Sequence, residues 1–343
     1  MKTVSDDLFQ LIQSMSKQEK RYFKLQASMH RSKGNNNYLR LFEAIDRQTA
    51  YDEDKIRKKF EGEAFLRQLH VAKNYLYKLI INSLRLYQEA HNEDKFPLLM
   101  RNAQILYSKG LYKQSEKMLE KARKLALENE RYLQLLEVFR WKHHNIHSKS
   151  DFKALERYLN VDFQQELKLL DIYRNFLEFR LLHDRVFISY WKKGSIRKQE
   201  EKEALSQLFE YPLYQSVNQA QSFNARMFYH NARFTYYFLI GELDHCYQHI
   251  KALVVMFEDL PKNRLKGAKE KRYISSLINL HIIQKQLQYH QESLQSLRKL
   301  RSIPARSMAQ KARLVTRSYN LELALYLSTG QFGKAIDNMA LFE

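Results

Sequence analysis

The sequence predicts an all-α protein, and three observations lead to that prediction. Turn-forming residues are scarce, because the 343 residues include only 8 glycines and 4 prolines, whereas the two together make up roughly 12% of average proteins. Apolar residues recur at spacings of three and four, as at Leu69, Ala72, Leu76 and Ile80, which is the period of an amphipathic helix. A short turn pattern also recurs along the chain, which is typical of stacked helical units.

Residues 1–95 are predicted to form an N-terminal helical domain or cap. Ser16 and Glu19 have the spacing of a capping box, which opens a helix. Tyr38–Arg47 is predicted as the next helix, and a short helix follows from about Asp52, where acidic residues suit a helix N-terminus. Ala64–Glu89 is predicted as one long amphipathic helix. The lengths and short connections of these elements favour a compact helical bundle.

The turn pattern lies in residues 96–343. It consists of a turn residue, an apolar or aromatic residue two places later and a small residue three further on. Three copies are clear: Gly110, Tyr112 and Ser115; Gly241, Leu243 and Cys246; Gly330, Phe332 and Ala335. Weaker copies begin at Ser150, Gly194 and Gln288. The six markers are separated by 40, 44, 47, 47 and 42 residues, so we expect about six helical hairpins.

These residues resemble the tetratricopeptide repeat (TPR) family, whose unit has a glycine at the hairpin turn and small or apolar residues at fixed steps in the second helix. The resemblance implies a TPR-like, right-handed superhelix of stacked hairpins with the N-terminal bundle attached. The spacings here exceed the family's 34 residues, which predicts longer helices or loops. The resemblance also implies that first helices line a concave groove. Its predicted side chains are Arg140, His144, Asp184, Asn231, Thr235, Lys285, Arg317 and Asn320.

The positive charge is concentrated in one segment. The net charge is +20 overall, and residues 261–318 hold 14 basic and only 2 acidic residues. The predicted polyanion patch comprises Lys262, Arg264, Lys266, Lys271, Arg272, Arg298, Arg301 and Arg313. Such a field attracts nucleic acid, an acidic peptide, an anionic membrane or a phosphorylated partner. The same charge also suits a solvated face. The basic residues are spread over several hairpins, which disfavours membrane attachment.

The sequence predicts neither an enzyme nor a cofactor site. It contains no nucleophile elbow, phosphate-binding glycine loop or dinucleotide fingerprint. His143 and His147 share a helix face, but no cysteine is near them and no acidic residue lies between them, so no metal site is expected. Cys246 occupies the small-residue position of its repeat, which predicts a buried structural thiol.

A helix-turn-helix is an alternative interpretation of the N-terminal helices. In it, the third helix would present Arg67, Gln68, His70, Lys73 and Asn74 to base edges. The acidic residues around Asp52 would face phosphates unfavourably, and a long helix equally suits a capping bundle.

These observations predict a non-catalytic scaffold or adaptor that binds a protein or peptide, most simply an acidic one, in a groove whose C-terminal part is basic. The alternative is a regulator whose N-terminal helices bind nucleic acid while its repeats sense a peptide. A third possibility is self-association through the C-terminal hairpin. A single cysteine and the lack of a signal peptide or membrane span predict a cytoplasmic protein. The ligand, the oligomeric state and the use of the basic segment remain open at this stage.

Overall fold

The computed structural model describes residues 6–29, 37–91, 94–261, 264–305 and 308–340. These residues form helices and their connections and contain no β-strand, so the all-α prediction is confirmed for them. Within the same residues, every helix is too short or too polar to cross a membrane. Contacts divide the chain into an N-terminal unit, Met1–Leu98, and a C-terminal unit, Leu99–Glu343.

The N-terminal unit packs its helices around one apolar core. Its helices are α1 (Asp7–Ser14), α2 (Lys17–Met29), α3 (Asn37–Asp46), α4 (Glu53–Lys59) and α5 (Leu69–His91). The core includes Ile12, Phe42 and Leu76, all fully buried. The capping box that opens α2 is confirmed, because Ser16 N donates to Glu19 Oε2 at 2.7 Å and Glu19 N donates to Ser16 Oγ at 3.3 Å.

The long helix predicted over Ala64–Glu89 is wrong at its start. Ala64–Gln68 forms a 3₁₀ helix, and the α-helix begins only at Leu69. Phe65 packs edge-on against Phe60 with ring centroids 5.2 Å apart, and this contact accompanies the tighter first turn. Helix α1 was not predicted, because its eight residues give too short a run for its period to stand out.

The C-terminal unit is a series of helices in which neighbours along the chain pack on one another. Its first helix begins just before the boundary between the units. The helices are α6 (Phe96–Ser108), α7 (Tyr112–Glu128), α8 (Tyr132–Ser148), α9 (Phe152–Arg157), α10 (Phe163–Lys193), α11 (Gln199–Ser206), α12 (Phe223–Ile240), α13 (Leu243–Glu258), α14 (Ala268–Gln286), α15 (His290–Arg301), α16 (Met308–Ser328) and α17 (Phe332–Ala340). The largest core cluster joins α10, α12, α13, α14 and α15.

The six turn markers predicted from the sequence are confirmed as turns. Each lies between two helices with a positive φ of 51° to 84°. Gly241 adopts the left-handed conformation that ends many helices, whereas Gly194 has ψ −49° and lies outside it. At four of them the next N–H donates to a carbonyl five residues earlier, as in Glu242 N to Tyr237 O at 2.9 Å. Glu130 forms a further turn of this kind, with φ 52° and Arg131 N bonded to Ala126 O at 2.9 Å. The sequence pattern missed it because a glutamate occupies the glycine position.

The small-residue position makes the same contact in three hairpins. The residue five places after the turn marker is buried and reaches the residue seven places before it. Ser115 Oγ donates to Ala103 O at 2.8 Å, and Cys246 Sγ lies 3.6 Å from Phe234 O. Ser293 Oγ is 2.8 Å from His281 Nδ1. This recurring contact brings the two helices of each hairpin close together, which explains why the position is small.

The stretch between Ser150 and Gly194 differs from a regular hairpin. Helix α9 has only six residues and continues through a π-helical turn, Tyr158–Asp162, into α10, which has 31. The segment after Gly194 contains α11 and three short 3₁₀ turns before α12 begins. These insertions account for the long spacing of the markers in this part of the chain.

Candidate functional site

A pocket of about 280 Å³ opens between α10, α12 and α14. Helices α10 and α12 run in the same direction, since Phe176 contacts Phe228 and, further along both helices, Tyr190 contacts Phe238. The residues that line the pocket are His183, Phe187, Tyr190, Asn231, Phe234, Thr235, Phe238, Asn279, Ile282 and Ile283.

The opposite faces of these helices hold the pocket in place. Phe179, Leu182 and Val186 of α10 are at most 1% exposed. Ala232 and Leu239 of α12 are equally buried. Helical periodicity therefore turns the other faces of α10 and α12 toward the pocket. The side chains that these two helices contribute to the pocket are partly exposed. The floor is a packed core, which favours a preformed pocket.

One wall of the pocket is aromatic. The Phe187 ring stacks on His183 with centroids 5.6 Å apart and on Tyr190 at 6.1 Å. Phe238 approaches Tyr190 edge-on at 6.1 Å. His183 Nδ1 also lies 3.1 Å from Asp184 Oδ1, which orients its ring. This wall offers flat apolar surfaces with a polar edge.

Two side-chain amides and a hydroxyl supply the polar part of the pocket. Asn231 and Asn279 come from adjacent sides, α12 and α14, and Thr235 lies one turn beyond Asn231. Asn231 Nδ2 donates to Met227 O at 3.0 Å, which holds its side chain along the helix. An amide both donates and accepts hydrogen bonds. The pocket can therefore bind a ligand that carries N–H and C=O groups next to apolar groups.

Two arginines precede the pocket-lining residues along α10 and α14. Arg180 of α10 lies over the Phe176 ring at 6.0 Å, and Arg272 of α14 lies over Phe228 at 5.3 Å. Partial burial lowers the pKa of the Arg272 guanidinium, which still remains charged at neutral pH. These contacts place positive charge beside aromatic surface.

The structure brings some of the predicted groove residues together. Asn231 and Thr235 line the pocket, and Asp184 lies exposed beside His183. The other five lie outside the pocket lining: Arg140 and His144 on α8, Lys285 on α14, and Arg317 and Asn320 on α16.

Sequence reasoning missed several lining residues because the distance from the turn marker to the lining position differs between hairpins. Counted back from the turn marker, Asn231 is ten places before Gly241, whereas His183 is eleven before Gly194 and Asn279 is nine before Gln288. Gly194 also closes its turn differently, with its N–H bonded to Tyr190 O at 2.9 Å. A fixed register taken from one repeat therefore misplaces the side chains of its neighbours.

The predicted polyanion patch is exposed but partly engaged in internal contacts. Arg264, Lys266, Lys271, Arg272, Arg298, Arg301 and Arg313 are all exposed, while Lys262 lies outside the described residues. Arg301 pairs with Glu322 at 2.5 Å and lies over the Tyr319 ring. Its neighbour Lys299 pairs with Glu258 at 2.8 Å. The formal charge of the segment therefore overstates what a partner would meet.

Two pairs of histidines have ring nitrogens close to one another. His143 Nε2 lies 3.0 Å from His147 Nε2. In α12 and α13, His230 Nδ1 lies 3.1 Å from His249 Nδ1 in a largely buried position. Burial is the main cause that lowers the pKa of both His230 and His249. Within the described part of the chain, no three His, Cys, Asp or Glu residues are grouped as metal ligands.

Lys73 is not available in the way that the helix-turn-helix interpretation requires. Its Nζ lies 2.7 Å from Tyr51 Oη and 2.9 Å from Glu53 Oε2, and its side chain is 12% exposed. Arg67, Gln68, His70 and Asn74 are exposed. The prediction for Lys73 is therefore wrong, since its charge is used to hold α4 against α5.

Comparisons of the chain with protein-family models, with curated proteins and with solved structures found no match. Function is therefore inferred from the geometry and chemistry of the described residues alone.

Proposed function

We propose that the C-terminal unit is a non-catalytic, TPR-like scaffold that binds an extended peptide segment of a partner protein in the pocket between α10, α12 and α14. The observation that carries this proposal is the combination of Asn231 and Asn279 amides with an aromatic wall in one pocket. The recurring turns and the contact at the small-residue position support a stack of similar hairpins. In the proposed arrangement these hairpins form a right-handed superhelix and the pocket lies on its concave side.

The amides suit a peptide backbone. An extended segment presents N–H and C=O groups that lack partners, and an asparagine side chain can donate to one and accept from the other. The aromatic wall and Ile282 would take an apolar side chain of the peptide. The pocket volume of about 280 Å³ lies near the lower end of the range for ligand sites, roughly 300 Å³. A short stretch of peptide therefore fills it.

The arginines favour an acidic residue next to that apolar residue. Arg272 lies seven residues before Asn279 on α14, which is about 10 Å along a helix. An extended peptide covers this distance in about three residues. We therefore expect a ligand with an acidic side chain about three residues from the peptide group that Asn279 binds, and close to the apolar anchor.

Selection from a random 12-residue peptide phage library tests this function. The full-length wild-type chain should enrich peptides that contain an acidic residue close to an apolar residue. One selected peptide would then be labelled with a fluorophore, and its affinity for the wild type and for each variant would be measured by titration. Asn279→Ala should weaken binding roughly 5- to 160-fold, because a buried peptide group loses its partner at a cost of about 1–3 kcal/mol. Asn160→Ala is the matched control, since Asn160 is exposed outside the pocket.

Two outcomes would contradict the proposal. One is failure of the wild-type chain to enrich any peptide above background. The other is equal affinity of the selected peptide for wild type and Asn279→Ala, which would place the binding surface elsewhere.

A further inference from the structure

Helix α5 of the N-terminal unit has two sharply different faces. Leu69, Ala72, Leu76 and Ile80 are at most 7% exposed and pack on the unit's core. At 3.6 residues per turn, the opposite side of the helix carries a line of four exposed residues. They are Arg67, from the turn before the helix, and Asn74, Lys78 and Arg85. We name these four, with His70 between them, the α5 outer face.

The α5 outer face carries three cations, Arg67, Lys78 and Arg85, and residues 64–88 contain no Asp or Glu. The exposed apolar residues Val71 and Ile81 lie beside these cations, whereas Lys73 lies off this face and pairs with Glu53. The nearest acidic residue along the helix is Glu89, whose Oε1 lies 3.9 Å from Arg85 Nε, and the Arg85 side chain remains 66% exposed. Such a wide separation lets Arg85 turn to another anion.

Four carboxylates elsewhere in the unit are paired with other cations. Glu53 pairs with Lys73 at 2.9 Å and with Arg57 at 2.7 Å. Three further pairs join helices or turns of the unit: Lys20 with Asp46, Lys24 with Glu43, and Arg40 with Glu63. These pairs reduce the negative charge that could compete for the α5 outer face.

The dimensions of this surface fit a DNA duplex. From Arg67 to Arg85 the face extends about 27 Å at 1.5 Å per residue, and a helix with its side chains is about 10–12 Å wide. The major groove of B-DNA is about 12 Å wide, whereas that of A-form RNA is too narrow for side chains to read. Asn74 and His70 lie between the cations, where polar groups can meet base edges.

We propose that α5 binds double-stranded DNA by lying in the major groove, with Arg67, Lys78 and Arg85 contacting phosphates and His70 and Asn74 facing the bases. Membrane binding is the weaker interpretation, because Asn74 and Asn82 interrupt the apolar residues exposed on this side of the helix. The proposal goes beyond peptide binding and does not depend on it, since all of its residues belong to the N-terminal unit.

The test is a salt titration of binding to a fluorophore-labelled 20-base-pair DNA duplex of mixed sequence, measured by anisotropy with the full-length chain. Three phosphate contacts predict that raising salt from 50 to 200 mM weakens wild-type binding by at least about 40-fold. The triple variant Arg67→Gln, Lys78→Gln, Arg85→Gln should bind more weakly at 50 mM salt, and its slope of log K against log salt should be shallower by about 2.7.

The matched control removes three exposed cations of the C-terminal unit, Arg264→Gln, Lys266→Gln and Lys271→Gln. It should retain the wild-type slope. Lys78→Gln alone should reduce the slope by about 0.9, and this milder change keeps the test valid if the triple variant unfolds. Circular dichroism and thermal unfolding establish that each variant is folded.

Several results would overturn the proposal. They are absence of wild-type binding to the duplex, loss of binding in the control but not in the triple variant, and equal affinity for an RNA duplex of the same sequence. Binding to phosphatidylserine vesicles without binding to DNA would also overturn it and would assign the α5 outer face to an anionic membrane.

Discussion

Removal of the Glu130 carboxylate should loosen the start of α12, although 93 residues separate the two along the chain. Glu130 lies in the turn between α7 and α8, and its carboxylate accepts from Phe223 N at 2.8 Å and from Asn224 N at 2.9 Å. These are the first two N–H groups of α12, which have no partner within the helix. The bond joins the α7–α8 turn to a helix that contributes to the pocket.

The size of the effect follows from the two bonds. A hydrogen bond to a charged group contributes about 1.5–3 kcal/mol when its partner is buried, and a carboxylate at a helix N-terminus gains about 0.3–1 kcal/mol more. Glu130 is half-buried, so water replaces part of this interaction. We expect Glu130→Ala to destabilise the C-terminal unit by about 2 kcal/mol and Glu130→Gln, which keeps one acceptor, by about 1 kcal/mol.

Hydrogen exchange measured by mass spectrometry or NMR reports this effect locally. A loss of about 2 kcal/mol raises the exchange rate of the Phe223 and Asn224 amides about 30-fold if both exchange through opening of this contact. The melting temperature should fall by about 4–8 °C. Glu128→Ala is the control, since Glu128 is exposed on the last turn of α7. Unchanged exchange at both amides in Glu130→Ala, or the same increase in Glu128→Ala, would refute the reasoning.

Three further predictions concern stability and reactivity. Burial lowers the pKa of His230 and His249 below the ordinary 6.5, so below that pH the unfolded chain binds more protons than the folded chain. Stability should therefore fall as the pH decreases from 7 to 5. The double variant His230→Gln, His249→Gln should show a smaller decrease in melting temperature over the same range. Gly241 has φ 84°, so Gly241→Ala should lower the free energy of unfolding in urea by about 1 kcal/mol. Gln288 has φ 63°, and Gln288→Gly should change that free energy by less than about 0.5 kcal/mol, because the relief of backbone strain offsets the added freedom of the unfolded chain. Burial raises the pKa of the Cys246 thiol to about 12, so a disulfide reagent such as DTNB should label native protein far more slowly than urea-unfolded protein, and equal rates would show that the thiol is accessible.

The hairpin turns could be predicted because each depends on a local requirement. A residue that must adopt positive φ favours glycine, and the small residue five places later follows from close contact between the two helices. The turn at Glu130 escaped prediction because glutamate has no preference for positive φ, and its side chain contacts α12, 93 residues away. Likewise, the 3₁₀ turn before α5 occurs together with the contact of Phe65 with Phe60, which no local pattern shows.

The pocket could be predicted only in part, because its residues depend on how three helices are rotated against one another. Asn231 and Thr235 were predicted from their distances of ten and six residues to Gly241. Neither distance gives a lining residue at Gly194, and at Gln288 only the distance of six does, at Ile282. A shift of one residue turns a helix face by about 100°, which is enough to exchange Asp184 for His183 in the lining. The position of a turn therefore determines where a helix ends, whereas the rotation of the helix about its own axis depends on its packing against neighbouring helices.

The two basic surfaces of this chain differ in how their charges are arranged. The segment 261–318 has the larger excess of basic residues, but its field is reduced where Arg301 and Lys299 pair with Glu322 and Glu258. The α5 outer face has fewer cations and no acidic residue among residues 64–88. Binding to a nucleic acid depends on how many exposed cations can contact its phosphates. For this reason the control variant in the basic segment is the decisive comparison, because it separates the effect of total charge from that of position.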